Sequence, residues 1–292
     1  MEHNFSPLEY LIHSTVRIVS HRSDGSVATG TGFFMVFTIN DEGLERPFIV
    51  TNKHVVRDSI RVSFYITKRQ DDDAYSSAEH EKFIVSQPIL IPHPDNDIDL
   101  VAMDMGQQWY DSVNKGNNFL MTVLSDSKIL STEDLKSLSP VEDVIMIGYP
   151  NSIWDSVNNM PVVRKGITAT HPRLPWNGRP EFLIDMACFP GSSGSPVFIA
   201  GERILKDKND DIFLSNKTYF LGVLYAGPRH EAFGKINLPN SEGVEYKNYP
   251  LLVTNIPNNI GYVISAKETI VLQNEIKRKI NSLNLPLYLQ QK

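Results

Sequence analysis

The sequence predicts an all-β fold, a barrel or a sandwich, finished by a C-terminal helix. Three observations carry this. Most apolar runs are short and rich in β-branched or aromatic residues. They are punctuated by Gly, Pro, Asn or Asp, the residues that turn a chain. Helical periodicity appears mainly at the two ends.

Taken in order, residues 7–12 read as a short helix opened by Pro7. Strand-like runs follow: Thr15-Val16-Arg17-Ile18-Val19, Gly32-Phe33-Phe34-Met35-Val36-Phe37 and Pro47-Phe48-Ile49-Val50-Thr51. Three more are Ile60-Arg61-Val62-Ser63-Phe64-Tyr65-Ile66, Asp143-Val144-Ile145-Met146-Ile147-Gly148 and Tyr219-Phe220-Leu221-Gly222-Val223-Leu224-Tyr225. Residues 68–81, with Asp71-Asp72-Asp73, and the Lys/Asp-rich residues 201–211 read as loops. The acidic triplet lacks the spaced oxygen ligands of a calcium loop and reads as a solvated hairpin tip. A second helix is expected over residues 265–280, with Ser265 as N-cap, Glu268 three residues on, and Ile270, Val271, Ile276 and Ile280 as its stripe.

Composition narrows the function. The 292 residues include 28 Lys+Arg and 34 Asp+Glu, a net charge of −6. That balance argues against nucleic acid and against a basic membrane-surface role. Hydrophobic residues at 41% and charged residues at 21% describe an ordinary globular chain of one large or two small domains. The single cysteine, Cys188, rules out an intramolecular disulfide and reads as a packed small hydrophobe. No apolar stretch approaches the roughly 20 residues of a membrane span, and the first residues lack the pattern of a secretory signal. The simplest compartment is the cytoplasm. No His/Cys/Asp cluster has metal-ligand spacing, so no metal or cofactor is expected.

Three segments at expected strand ends carry chemistry. They are Thr51-Asn52-Lys53-His54-Val55-Val56, Asp97-Ile98-Asp99-Leu100-Val101-Ala102-Met103 and Pro190-Gly191-Ser192-Ser193-Gly194-Ser195-Pro196-Val197. They supply a His, an Asp and a Ser in that order. A serine hydroxyl attacks only when a base takes its proton. A histidine does this near neutral pH and can then protonate the leaving group. A carboxylate on the other ring nitrogen fixes the tautomer. The glycine-bounded turn can aim the N–H groups of Gly191 and Ser193 at one oxyanion.

At these residues the sequence resembles the trypsin-like serine peptidases of the chymotrypsin fold, in the disulfide-free bacterial form that includes HtrA-type proteases. Gly30-Thr31-Gly32-Phe33-Phe34 is similar to the family's early Gly-x-Gly-Phe strand, and Gly222-Val223-Leu224-Tyr225 to its strand beside the substrate. His54 to Asp99 is 45 residues and Asp99 to Ser193 is 94, spacings this fold accommodates. The resemblance implies two six-stranded antiparallel β-barrels, with the active site in the cleft between them. Residues 14–120 would form the first barrel and 140–264 the second. Residues 121–139, within a linking region of 110–139, would join them. Residues 1–13 would be an extension and 265–292 a helix and tail.

The resemblance also implies roles. Ser193 is the nucleophile, His54 the base, and the N–H groups of Gly191 and Ser193 the oxyanion hole. Asp97 and Asp99 both precede alternating apolar residues. With Asp97 as the acid, Asp99 falls where the family keeps a small or apolar residue, and burying a second unpaired carboxylate is costly. With Asp99 as the acid, Asp104 falls on a polar position, so Asp99 fits better. Ala187 corresponds to the base of the specificity pocket, and Tyr225, Ala226 and Gly227 to its wall. An uncharged base implies small or apolar side chains before the cleaved bond. Ser192 stands where trypsin has an acid that pairs with a newly cut N-terminus, which implies no trypsin-style zymogen switch. His93 and His171 read as structural loop residues. Gly30 and Gly32 mark either a close backbone approach near the site or a bulge.

The leading reading is therefore a serine endopeptidase acting on a protein or peptide through an acyl-enzyme. Without a propeptide, restraint would come from narrow selectivity or from an activating protein partner, as in a bacterial stress or phage-defence system. The alternative is a catalytically silent binding module on the same scaffold.

Overall fold

Two β-systems share one core, and only one of them closes. The computed structural model describes residues 7–69, 79–199, 203–206, 212–215, 218–235 and 251–280. The Asp71-Asp72-Asp73 triplet and residues 281–292 lie outside these. After α1 (Pro7–Ile12), the first sheet holds β1 (Thr15–Arg22), β2 (Val27–Thr38), β3 (Glu45–Thr51), β4 (Ser59–Lys68), β5 (His80–Ser86), β6 (Leu90–Pro92) and β7 (Val101–Asp104). A one-turn helix α2 (Lys53–Val56) sits between β3 and β4. The strand order is β5-β4-β1-β2-β3-β7-β6, with β8 (Phe119–Leu120) paired to β4.

This corrects the expectation of a first closed six-stranded barrel: the sheet curls but does not seal. Its end strands, β5 and β6, are consecutive in the chain, joined by residues 87–89. Gln87 has φ 49°, and Pro88 has no amide hydrogen to offer a ladder. The Gln87 N–H donates to Ile60 O on the β4 side, while Ile89 O accepts from Asp104 N on the β7 side. The chain thus crosses from one edge to the other at a kink.

The second system is a closed barrel of six strands: β9 (Asp143–Gly148), β10 (Val162–Thr168), β11 (Glu181–Asp185), β12 (Pro196–Ile199), β15 (Tyr219–Ala226) and β18 (Ile260–Ser265). Two hairpins interrupt it in sequence. One is β13 (Arg203–Lys206) with β14 (Ile212–Ser215), the other β16 (Arg229–Lys235) with β17 (Leu251–Pro257). Residues 201–211, expected as a loop, thus contain a strand. The apolar pair Ile204-Leu205 gives that strand its β character, and its ladder runs from Arg203↔Ser215 to Lys206↔Ile212.

The linking region holds more structure than its turn-rich sequence suggests. It contains α3 (Gln107–Asn114) in part and α4 (Thr132–Ser137). A capping box between Ser131 and Asp134 starts α4. The link also stitches both halves: the Leu124 N–H donates to Phe34 O of β2, Leu124 O accepts from Val36 N–H of β2, and Ile129 bridges to Phe220 on β15.

Side-chain alternation along β2 explains the shared core. Phe33, Met35 and Phe37 face one way, into a cluster with Ile147, Phe198, Phe220 and Ile264 of the barrel. Phe34 faces the other way, into the core of the first sheet with Ile18, Phe64 and Phe83. The C-terminal helix α5 (Glu268–Ile280) adds Leu272 and Ile276 to the shared cluster. Its buried stripe is Thr269, Leu272 and Ile276, while Ile270 and Val271 are exposed, which corrects the expected stripe by one or two positions. Asp104, expected on a polar position, is buried and paired with Arg46 at 2.6 Å. Tyr110 donates its hydroxyl to the same carboxylate, so a buried charge is kept by satisfying it.

Candidate active site

The histidine is set by the turn that ends β3. Val55 and Val56 bury their side chains and anchor α2, which leaves His54 on its open side, its side chain 41% exposed. The buried Asn52 side chain donates to Asp99 O at 2.7 Å, tying the two segments together. Asp99 then meets His54 twice. Its Oδ1 accepts the His54 backbone N–H at 3.1 Å, and its Oδ2 lies 2.5 Å from His54 Nδ1. Burial pushes the Asp99 carboxyl up, but the His54 ring hydrogen bond, its charge and the backbone N–H groups of His54 and Lys53 outweigh this, and the pKa ends below the ordinary carboxylate range. A carboxylate at Nδ1 holds the proton there and leaves Nε2 as the basic nitrogen. Asp97 is exposed; its amide bonds to Asp95 Oδ1 and its carbonyl accepts from Arg179. Of the two acids, Asp99 is the one brought to His54.

Ser193 comes from the turn before β12. Gly191 and Gly194 have φ of 87° and 88°, which L side chains rarely adopt. A Cβ on Gly191 would stand 2.6 Å from Tyr149 O, and one on Gly194 would strike Thr31 O. Four successive carbonyls of this turn are taken. Pro190 O accepts from Asn151 N, Gly191 O from Thr31 Oγ1, Ser192 O from Ser195 N and Ser193 O from Thr31 N. In a trans peptide the N–H points opposite to the preceding carbonyl. The N–H groups of Gly191 and Ser193 are thereby turned away from these contacts, and among the described residues neither has a hydrogen-bond acceptor. The Ser193 hydroxyl itself donates to Tyr225 O at 3.4 Å.

His54 and Ser193 face the same cavity, of about 270 Å³, whose walls include Tyr225, Ala226 and Gly227 as expected. Ala187 is not among its lining residues; Cys188 is. Burial pushes the Cys188 thiol up to about 11, so it stays protonated at neutral pH. The Tyr225 hydroxyl donates to Glu181 at 2.6 Å, and burial with that bond raises its pKa.

Residues 30–205 match the family profile described as a trypsin-like peptidase domain, which is more than half of the chain. The chain belongs to this family. No curated protein matches the sequence. Among solved structures, an HtrA-type protease, AlgW, with a tripeptide is 14% identical, with a TM-score of 0.49 over 91% of this chain. A serine endoprotease from Yersinia pestis is 16% identical, with a TM-score of 0.46 over 91% of this chain. The chain spans 60% and 64% of the lengths of these two neighbours. The inactive form of Rv3671c from M. tuberculosis is 16% identical, with a TM-score of 0.43, covering 94% of this chain and 91% of that one. No helix among the described residues is long and apolar enough to cross a membrane.

Within this trypsin-like peptidase domain two residues went unread in the sequence. Thr31 is fully buried and acts as a hub: its hydroxyl donates to Gly191 O and accepts the Tyr149 N–H, while its carbonyl accepts from Thr51 Oγ1. Its one signal was its place between two glycines. A Cβ on Gly30 would stand 2.6 Å from Val55 Cγ1 and 3.3 Å from Ser193 O, so this glycine makes room first for the valine beside His54. Arg229 also lines the cavity, brought there by the β16–β17 hairpin. The residues it joins lie far off in sequence, so no local pattern announced it.

Proposed function

We propose that this trypsin-like peptidase is a serine endopeptidase working through Ser193, His54 and Asp99. The observation that carries this reading is the nucleophile turn, tethered at four carbonyls, beside the His54–Asp99 pair. With four carbonyls held from within the chain, the Gly191 and Ser193 amides are preorganised donors for the anionic oxygen of a tetrahedral intermediate. The Ser193 hydroxyl leaves Tyr225 O for His54 Nε2 by a χ1 rotation as the peptide enters. Its oxygen attacks the scissile carbonyl while Nε2 takes the proton. Collapse of the intermediate breaks the C–N bond, Nε2 returns the proton to the leaving amine, and an acyl-enzyme remains. Water, deprotonated by the same nitrogen, releases the acid. Asp99 keeps Nδ1 protonated and stabilises the transient imidazolium.

The tethering also favours a turn that is set without an activating partner. The reading places the chain in the cytoplasm, in keeping with a single buried thiol. The test is reaction of the purified chain with a fluorophosphonate probe, with mass spectrometry of the modified peptide. Labelling of Ser193 that depends on His54 is expected, and Ser193→Ala should lower peptide turnover by about 10⁶-fold. No labelling of the folded chain alone would refute a preset site. Labelling restored in cell lysate would then point to partner activation, and its continued absence to a binding scaffold.

A further inference from the structure

We propose that Arg229 selects an anionic side chain, aspartate or glutamate, at the residue preceding the cleaved bond. This rests on the peptidase reading above and names the substrate class of the same site. The cavity that holds His54 and Ser193 is lined by one arginine and no carboxylate. Arg229 is exposed and, among the described residues, has no ion-pair partner, although the chain as a whole carries a net −6. Glu181, behind Tyr225, is already engaged by the Tyr225 hydroxyl and lies 3.5 Å from Arg179. A second cation stands behind the wall: the Arg164 guanidinium lies 5.2 Å from the ring centre of Phe189, itself a lining residue.

The shape agrees with the charge. A Cβ on Gly227 would stand 3.5 Å from Cys188 Cβ, so the two walls approach each other there. Cys188 lines the cavity, while Ala187, whose neutrality was the ground for expecting small or apolar side chains, is not among its lining residues. Discrimination therefore falls to the mouth, where Arg229 stands opposite Pro257 in the hairpin ladder, with Pro257 also lining the cavity. A planar guanidinium with free donors suits a carboxylate, and an anion at this point replaces water on an otherwise unpaired cation.

The test is kcat/KM of the full chain on fluorogenic peptides that differ only in the residue before the cleaved bond. Glutamate or aspartate there should exceed alanine and leucine by about ten- to hundredfold, and the advantage should shrink as salt rises. Arg229→Glu should turn the preference toward lysine and arginine. A gain of that kind cannot come from misfolding, and Arg229→Gln provides a milder variant that should level the preference. Apolar preference in the unmodified chain, or an unchanged order in both variants, would overturn the inference while fluorophosphonate labelling of Ser193 upholds the peptidase reading. Failure of that labelling would overturn both.

Discussion

Replacing Asp99 by asparagine keeps the shape of the site and removes its logic. Asp99 Oδ1 accepts the His54 backbone N–H at 3.1 Å, and this bond needs an oxygen. In Asp99→Asn the amide oxygen takes that place, so the NH₂ group must face His54 Nδ1, where a carboxylate oxygen now stands at 2.5 Å. Nδ1 then becomes the acceptor, the ring proton moves to Nε2, and the base facing Ser193 is lost. Loss of the charge also removes the partner of the imidazolium. A triad acid exchanged for its amide lowers kcat by about 10⁴-fold, or about 5 kcal/mol of barrier. Burst kinetics on a peptide ester would measure it, with a circular dichroism melt to show that the variant folds. Asp97→Asn serves as the control, since that residue is exposed and bonds through its backbone, its N–H to Asp95 Oδ1 and its carbonyl to Arg179. Retention of activity within tenfold in Asp99→Asn, or an equal loss in Asp97→Asn, would refute the assignment.

Two further outcomes follow from the same contacts. Thr31→Val keeps volume but strips the hydroxyl that bonds Gly191 O, Tyr149 N and Ser195 Oγ, taking a partner from three groups at about 1–3 kcal/mol each. A lower melting temperature and slower fluorophosphonate labelling are expected together; unchanged values for both would deny Thr31 its role. Glu275 is held down to about 2 by hydrogen bonds from Arg278 and Lys279, below its ordinary value of 4.5. Its folded pKa lies below its unfolded one, so its contribution is complete above pH 4.5 and is lost as the pH falls toward 2. Melts of Glu275→Gln against the parent should differ slightly at pH 7, the pair being open to solvent on the arginine side, and should converge near pH 2. A gap that widens in acid would reverse the sign.

The placement of the candidate site residues was more legible than the architecture, for a physical reason. His54 and Ser193 sit in local turns whose glycines, asparagine and small residues are required within a few positions, so the pattern is written in contiguous sequence. Asp99 was nearly as clear, but from the family pattern the resemblance supplied, since the strand after it is buried throughout and has no outward face. Strand runs were visible from their β-branched and aromatic content, and the second barrel closes as the resemblance implied. What stayed hidden depends on distant partners. The open edge of the first sheet follows from how Gln87 and Pro88 meet strands on opposite sides. The buried face of α5 depends on which helical stripe meets β2 and β6 of the first sheet and β18 of the barrel, and Thr269 joins it by donating its hydroxyl to Ala266 O at 2.6 Å. Arg229 reaches the cleft only because residues 229 and 257 are neighbours in a hairpin.

The core common to both β-systems bears on how a peptide is received. Phe33 of one lies 5.4 Å, ring centre to ring centre, from Phe220 of the other, and α5 caps the same cluster. Prising the halves apart would expose several fully buried aromatic rings at roughly 2–3 kcal/mol each. The cleft is accordingly a fixed slot and not a pair of jaws. Recognition then draws its entropic cost from the substrate, which must arrive extended or be straightened on arrival. A folded protein would be cut only where it frays, and loosely structured chains would be consumed first.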